Sequence, residues 1–543
     1  MARVLSAAEA ATLVPDGATV MITGSGGGLM DADFTYAAIE QRFLSEGHPR
    51  DLTLVHVTGI GNRAEQGVSR FAHAGMTRRV IGGHWGWSPE MIRLALEEEI
   101  EAYNVPQGVL SVIGREIAAG RKGLITRVGL QTFVDPRVDG GKLNGRTKED
   151  IVELIELGGE QLLFYRAFPI DVAIIRCTTA DEQGNLSVEH EAANLNVLSA
   201  AQAAHNSGGV VIAQVKRLAN HGSLRARDVK VPGCLVDAVV VNPEQWQTSA
   251  GFNNPSFSGE IRVPLTQIEP LAFDVRKVVA RRAAMELRPG LMVNLGFGIA
   301  DGVANIAAEE DLLSEITFSV EQGIVGGIPA KGDIFGAGYN PESIIDDPYQ
   351  FDFYHGGGLD ITFLGMAQAD RQGNINVSKF GRNLPGCGGF IDISQNAREV
   401  VFCGTFTTGG LRTEITNGKL KIVQEGKVNK FVPAVEHITF SGNRARETGQ
   451  TVLYVTERAV FELGDEGVIL REIAPGVDLQ RDILGRMDFK PHIPHPPRTM
   501  DPRIFQDALM NLRSAWADVH VHGDRDASTR TRTRTRTRAR AEG

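Results

Sequence analysis

Cysteine is scarce in this chain, with four residues at positions 177, 234, 387 and 403, and none in CxxC spacing. That pattern signals neither a zinc ribbon nor a disulfide framework. Aromatic residues make up only 6% of 543 residues. No apolar run approaches the roughly 18 residues that a membrane-spanning helix needs. The N-terminal stretch MARVLSAAEAATLVPDG lacks a sustained apolar segment after its single early Arg, so no secretory leader is expected. Excess positive charge is also missing. The formal net charge of −10 argues against a general nucleic-acid partner. Several common catalytic signatures are absent as well. There is no GxxxxGK[ST], no GxSxG and no HExxH, which excludes a P-loop ATPase, the serine-hydrolase elbow and a zincin. The His492-Ile-Pro-His495 pair is broken by proline, and no metal site is expected.

What remains is an ordinary globular composition, 42% hydrophobic and 22% charged, on a chain long enough for two or more cores. Glycine is abundant at 62 residues, and it falls in short clusters, as in tight loops or backbone that approaches a ligand closely. Short apolar runs such as Val-Met-Ile, Leu-Thr-Leu-Val and Val-Val-Phe have the length of buried strands. Helical stretches lie between them. One of these, from Pro89, opens with Ser88 as a cap. Alternation of this kind implies α/β architecture with mainly parallel sheets flanked by helices.

The chain is also internally duplicated. Asp171-Val-Ala-Ile-Ile leads to Ala180-Asp181-Glu-Gln-Gly184-Asn185, and Asp360-Ile-Thr-Phe-Leu leads to Ala369-Asp370-Arg-Gln-Gly373-Asn374. The offset is 189 throughout, and it carries Val211-Ile212 onto Val400-Val401. Matching segments, Pro15-Asp-Gly17 and Arg288-Pro-Gly290, open the two halves. The expected domains are therefore residues 1–260 and 261–515, joined through the Asn/Gln/Ser/Gly/Pro-rich stretch Asn242–Gly259. A low-complexity tail, 516–543, alternates Arg with Thr or Ala from Thr529 to Arg540 and has no apolar face to fold around.

Two motifs invite assignment. Gly296-Phe-Gly298-Ile-Ala-Asp-Gly302 follows a strand-like run, but its GxGxxxG spacing is one residue longer than the dinucleotide fingerprint, so a close-approach loop of another kind is expected. Phe318-Ser-Val-Glu321-Gln-Gly323-Ile-Val-Gly326-Gly327 ends an apolar strand and enters a glycine-rich turn, which places a carboxylate at the sheet edge where open α/β sheets bind ligands. A solvent-facing Glu at a strand end is the plain alternative. The duplication favours function: where the second half has Glu321, the equivalent position of the first half is Val57.

These segments together resemble the family I coenzyme A transferases, of the acetate/propionate type and related to the 3-oxoacid CoA-transferases. Val320-Glu321-Gln322-Gly323-Ile324-Val325-Gly326 stands where that family has its Ser-Glu-Asn-Gly signature, departing at Val320 and Gln322. Asp16-Gly17-Ala-Thr-Val-Met-Ile, Gly82-Gly83-His84-Trp85-Gly86, Asn104-Val-Pro106-Gln107-Gly108, Thr132-Phe133-Val134-Asp135-Pro136, Gly356-Gly-Gly-Leu-Asp360 and Gly386-Cys-Gly-Gly-Phe390-Ile-Asp392 add to the match, in the order of an α-like half fused to a β-like half.

The resemblance implies a CoA-transferase-like fold and ping-pong transfer of CoA between short-chain acyl-CoA and free carboxylic acids. It makes Glu321 the nucleophile, carried through a glutamyl-CoA thioester. Gln107 and a backbone N–H of the Gly386–Gly389 turn, with Gly388 preferred, would form the oxyanion hole. Gly296, Gly298, Gly323, Gly326, Gly327, Gly386 and Gly389 would let backbone approach the CoA arm, and Lys379 would meet a CoA phosphate. Cys387, between glycines, is read as a small residue tolerated in a turn rather than a rival nucleophile. No tightly bound cofactor, nucleic acid or membrane partner is expected. The partners are acyl-CoA, small carboxylates and further copies of the chain in a cytoplasmic homo-oligomer (dimer or tetramer). An acyl-CoA hydrolase on the same fold and a catalytically inactive CoA-binding protein are the alternatives.

Overall fold

The computed structural model describes residues 2–264, 270–514 and 516. The Arg/Thr-rich tail expected from 516 on lies, apart from Trp516, outside the described residues.

Two large sheets organise the chain. The first has eight strands in the order Arg3–Leu5, Ala238–Val241, Val210–Val215, Val172–Arg176, Thr19–Ile22, Leu52–His56, Thr77–Gly82 and Glu101–Asn104, and every neighbouring pair is parallel. Parallel strands are covered by helices on both faces and so read as continuous apolar runs; Val172–Arg176 is buried along its whole length. The second sheet has a parallel centre of Thr317–Val320, Met292–Leu295, Ile361–Gly365, Glu399–Cys403 and Thr451–Val455. Antiparallel strands extend it: Ile324–Val325 and Ser343–Ile344 on one side, Ala459–Gly464 and Gly467–Ile473 on the other.

The duplication seen in the sequence is a duplication of bonding. Asp171 accepts the N–H of Thr19 at 2.8 Å, and Asp360 accepts that of Met292 at 2.9 Å, so one carboxylate fixes the same pair of strands in each sheet. Asp181 folds its own turn by accepting from the backbone of Gln183 and Asn185, and Asp370 does the same with Gln372 and Asn374. These are side-chain-closed Asx turns, which is why Asp and Asn recur there at fixed spacing.

The halves share buried surface. The apolar core around the first sheet includes Val320, Ile324, Ala330, Ala337, Cys387 and Ile391 from the second half. The helix Gln107–Ala118 lies against the helix Asp347–His355, with the Ser111 hydroxyl donating to Asp347 at 2.7 Å. The Asn242–Gly259 stretch is bonded to both sides: Ser249 N–H donates to the Gly27 carbonyl at 2.7 Å, and the Ser256 carbonyl accepts from Asn340 N–H at 3.0 Å. Smaller antiparallel units stand apart from the parallel sheets, among them the three strands Gly123–Thr126, Glu160–Arg166 and Val152–Leu157 and the hairpin Arg412–Thr416/Lys419–Gln424. Among the described residues no helix is long and apolar enough to cross a membrane.

Candidate active site

Between the two sheets opens a cleft of about 410 Å³ whose lining comes from both halves. Glu321 lies in it, one residue beyond the strand Thr317–Val320. The chain turns at once into Ile324–Val325, which pairs back on the strand it has just left. Gly323 makes the turn possible. Its φ is 95°, and a Cβ there would stand 2.0 Å from the Ile345 carbonyl oxygen. A side chain at 323 would therefore both strain the backbone and displace a neighbouring strand.

Glu321 is only 8% exposed. Burial pushes its carboxyl up to about 7, and the nearby Asp392 adds to the rise. Hydrogen bonds from its own backbone and from the side chains of Asn294 and Gln322 hold it back from rising further. A carboxylate kept from water but still able to ionise near neutrality is a stronger nucleophile than a solvated one. Val57, its counterpart in the first half, is plain core.

Facing it across the junction of the halves is Gln107, at the start of the helix Gln107–Ala118. Its side-chain Nε2 is buried and has no hydrogen-bond partner among the described residues. An amide N–H left without an acceptor in a cleft wall costs free energy unless a bound group completes it. The Gly386–Gly389 turn is tied to the same junction. Cys387 N–H donates to Asn104 Oδ1 at 2.9 Å, Gln107 N–H donates to the Gly388 carbonyl at 2.9 Å, and Gly108 N–H donates to Asp392 at 3.0 Å.

The turn corrects one expectation. Gly388 N–H is engaged by the Gly83 carbonyl at 2.8 Å, so it does not face the cleft as a free donor. The N–H groups of Gly386 and Phe390 are taken too, by the carbonyls of Ser378 and Cys387. Gly389 N–H has no acceptor among the described residues, and a Cβ on Gly389 would stand 3.6 Å from Glu321 Cγ. The free donor of the turn is therefore the next glycine along. Burial pushes the Cys387 thiol well above its ordinary value, which leaves it a poor nucleophile.

Of the glycines named from sequence, Gly296, Gly386, Gly388 and Gly389 line the cleft with Glu321 and Gln107. Gly298, Gly323, Gly326 and Gly327 are not among the lining residues, nor is Lys379, whose ammonium donates to the Leu143 carbonyl at 3.4 Å. Gly326 and Gly327 serve the hairpin: a Cβ at 327 would meet the Tyr339 carbonyl oxygen at 2.1 Å. Sequence reasoning assigned no role to His84, Trp87, Arg63, Phe297 or Phe335, all of which line the cleft. Arg63 stacks on Trp87 at 4.3 Å and pairs with Asp333 of the other half at 3.1 Å. The Gly82–Gly86 block, which holds His84, and the Gly296-Phe297-Gly298 motif were the signals for two of them. Among the described residues no group of three or more His, Cys, Asp or Glu could hold a metal ion.

Comparison with known proteins agrees on one family. The coenzyme A transferase family model matches residues 4–242. Acetate CoA-transferase YdiF of Escherichia coli strain K12 is 46% identical over 508 residues, covering 93% of this chain and 96% of its own. Caffeate CoA-transferase of Acetobacterium woodii is 48% identical over 515 residues, covering 93% and 98%. Crystal structures of acyl-CoA transferase YdiF from E. coli O157:H7, the apoenzyme and a thioester complex with CoA, each superimpose with a TM-score of 0.90 at 45% identity, covering 94% of this chain and 97% of theirs.

Proposed function

The chain belongs to the coenzyme A transferase family, and on that footing we propose that it transfers CoA between short-chain acyl-CoA and free carboxylic acids through a thioester on Glu321. The observation that carries this reading is the pairing of a buried carboxylate, Glu321, with the unpartnered amide of Gln107 and the free N–H of Gly389 in one cleft.

A thioester needs no acid to release its leaving group, because thiols ionise near pH 8–9. A carboxylate can attack it without the histidine that a serine nucleophile requires. Glu321 adds to the acyl carbonyl and expels CoA thiolate, leaving a mixed anhydride. The thiolate then adds to the Glu321 carbonyl and releases the free acid, which leaves glutamyl-CoA. A second carboxylate runs the steps in reverse and departs as the new acyl-CoA. Each addition places negative charge on a carbonyl oxygen, and preorganised donors in a water-poor site stabilise it. Gln107 Nε2 and Gly389 N–H are the donors of the cleft that no protein acceptor among the described residues engages. Gly296 and the Gly386–Gly389 turn let the CoA arm lie close to backbone. Residues 1–260 and 261–515 act as α-like and β-like domains that each supply part of the site. The reading includes a homo-oligomer in the cytoplasm, a setting that suits four free cysteines.

Intact-mass analysis tests the covalent step. Incubation with acyl-CoA and no acceptor acid should add CoA, less one water, to the peptide that holds Glu321. Glu321→Ala should abolish both the adduct and the transfer. An adduct on Cys387, or full activity in the Ala variant, would overturn the reading.

A further inference from the structure

The reaction places charge on two different oxygens. When Glu321 attacks acyl-CoA, the oxyanion is on the substrate's carbonyl; when the thiolate attacks the anhydride, it is on the carbonyl of Glu321. Gly389 N–H, beside Glu321 Cγ, serves the second. A separate donor is needed for the first, and His84 has the geometry for it.

The imidazole of His84 is held by glycines of three different loops. A Cβ on Gly59 would stand 2.7 Å from Nδ1, one on Gly86 would stand 2.9 Å from Cε1, and one on Gly388 would stand 3.5 Å from Cδ2. These glycines meet Nδ1, Cε1 and Cδ2 rather than Nε2, and the residue lines the cleft. Gly86 N–H donates to the Pro385 carbonyl at 3.1 Å and, as a shared bond, to Nδ1 at 3.2 Å. That contact favours the neutral tautomer with its hydrogen on Nε2. Among the described residues Nε2 has no protein acceptor. Gln107 Oε1 would lie 3.7 Å from the same Cβ on Gly388, so the ring edge and the Gln107 side chain flank one spot in the cleft wall.

The ring also stays uncharged. Burial, with His56 and Arg63 close by, brings His84 down to about 4. A cation here would hold the free carboxylate in its ground state, whereas a neutral N–H favours the oxyanion without trapping the acid, since only interactions stronger in the transition state raise the rate.

We propose that His84 is a catalytic residue whose Nε2–H donates a hydrogen bond to the carbonyl oxygen of the acyl substrate as its oxyanion forms. The balance is that of ordinary acyl transfer. The Glu321 carboxylate forms the new C–O bond, the carbonyl π pair moves to the oxygen that His84 bonds, and its return breaks the C–S bond and releases CoA thiolate. No proton leaves the imidazole. This inference rests on the Glu321 reading above.

The test compares His84→Ala and His84→Gln with the parent, using intact mass for the Glu321 adduct and single-turnover kinetics with acyl-CoA for its rate. Removal of one oxyanion donor should slow adduct formation by roughly 10²-fold, with a much smaller change in KM. Gln, which places an N–H near the position of Nε2, should recover most of that loss. The pH–rate profile of His84→Ala should keep the shape of the parent's, because a neutral donor titrates outside the working range. Adduct formation in His84→Ala at the parent rate, a Gln variant no faster than Ala, or the disappearance of an ionisation between pH 6 and 8 would each overturn the proposal. An Ala variant that no longer folds leaves the Gln comparison and the pH profile of His84→Gln to decide. Failure of the parent itself to form an adduct on Glu321 would instead sink the underlying function.

Discussion

At the scale of single residues, the pH behaviour of Glu321 follows from its burial. The attacking form is the carboxylate, so single-turnover rates should climb from pH 5.5 and level off above about 7, the value to which burial raises the group. Stability moves the other way. The folded-state value lies above the 4.5 expected for the unfolded chain, so the group's relative contribution to stability is fully present below pH 4.5 and is lost as pH rises through 7. That loss is on the order of 3 kcal/mol. Glu321→Gln carries no such penalty, and its melting temperature should gain on the parent's between pH 5 and pH 8. Thermal melts at the two pH values check this; an unchanged difference would mean that the carboxyl is not desolvated. Gln107 and Gly388 should separate just as clearly. Gln107→Ala removes a free donor and should cost roughly 10²–10³ in kcat. Gly388→Ala keeps an N–H that is already bound to Gly83, and its Cβ would make only ordinary contacts. With φ at +52°, it should cost about 1 kcal/mol in stability and, because its Cβ would stand between the His84 ring and Gln107 without removing a free donor, cost less in kcat than Gln107→Ala.

At the scale of elements, the hairpin beyond Glu321 holds the proposed nucleophile in place. The Ile345 N–H donates to the Gly323 carbonyl at 2.9 Å, while the Ile345 carbonyl closes over the space where a side chain would go. Gly323→Ala should therefore lift Ser343–Ile344 away from Ile324–Val325 and let Glu321 wander. Misplacement of a reacting atom by about 1 Å can cost on the order of 10² in rate. The variant should lose adduct formation out of proportion to its change in melting temperature, since the strands concerned are two residues each and contribute little to the core. Equal and small losses in both would show that the hairpin does not position the carboxylate. The sequence displayed this glycine cluster but invited a ligand-contact reading for Gly323, Gly326 and Gly327. Their neighbours show a steric need within the fold, because the obstructing atoms at Gly323 and Gly327 are backbone carbonyls brought from residues 345 and 339.

At the scale of the whole molecule, the site is completed only where the halves meet. Glu321 and Gly389 come from one side, Gln107 and His84 from the other, and the first core itself includes residues beyond 320. A chain cut after residue 260 should give two inactive pieces with exposed apolar surface when they are expressed apart. Co-expression should restore a 1:1 complex able to form the Glu321 adduct, measured by size exclusion and intact mass. A second half that forms the adduct and transfers CoA alone would show that the first half contributes no essential donor.

The sequence by itself determined the α/β class and the duplication, and it singled out Glu321 as the proposed nucleophile. Each of these is written in local patterns: apolar runs of strand length, Asp and Asn at turn spacing, and a Glu where the repeat has Val57. The tertiary structure decided which donors are free. Gly388 and Gly389 are adjacent and chemically identical, and what distinguishes them is the Gly83 carbonyl, which is distant in sequence and accepts from only one of them. His84 likewise stands in a glycine-rich block of the sequence but gains a role only when glycines at 59, 86 and 388 meet its ring. Hydrogen-bond satisfaction is a property of every neighbour a group acquires on folding, and those neighbours come from positions that no local pattern connects.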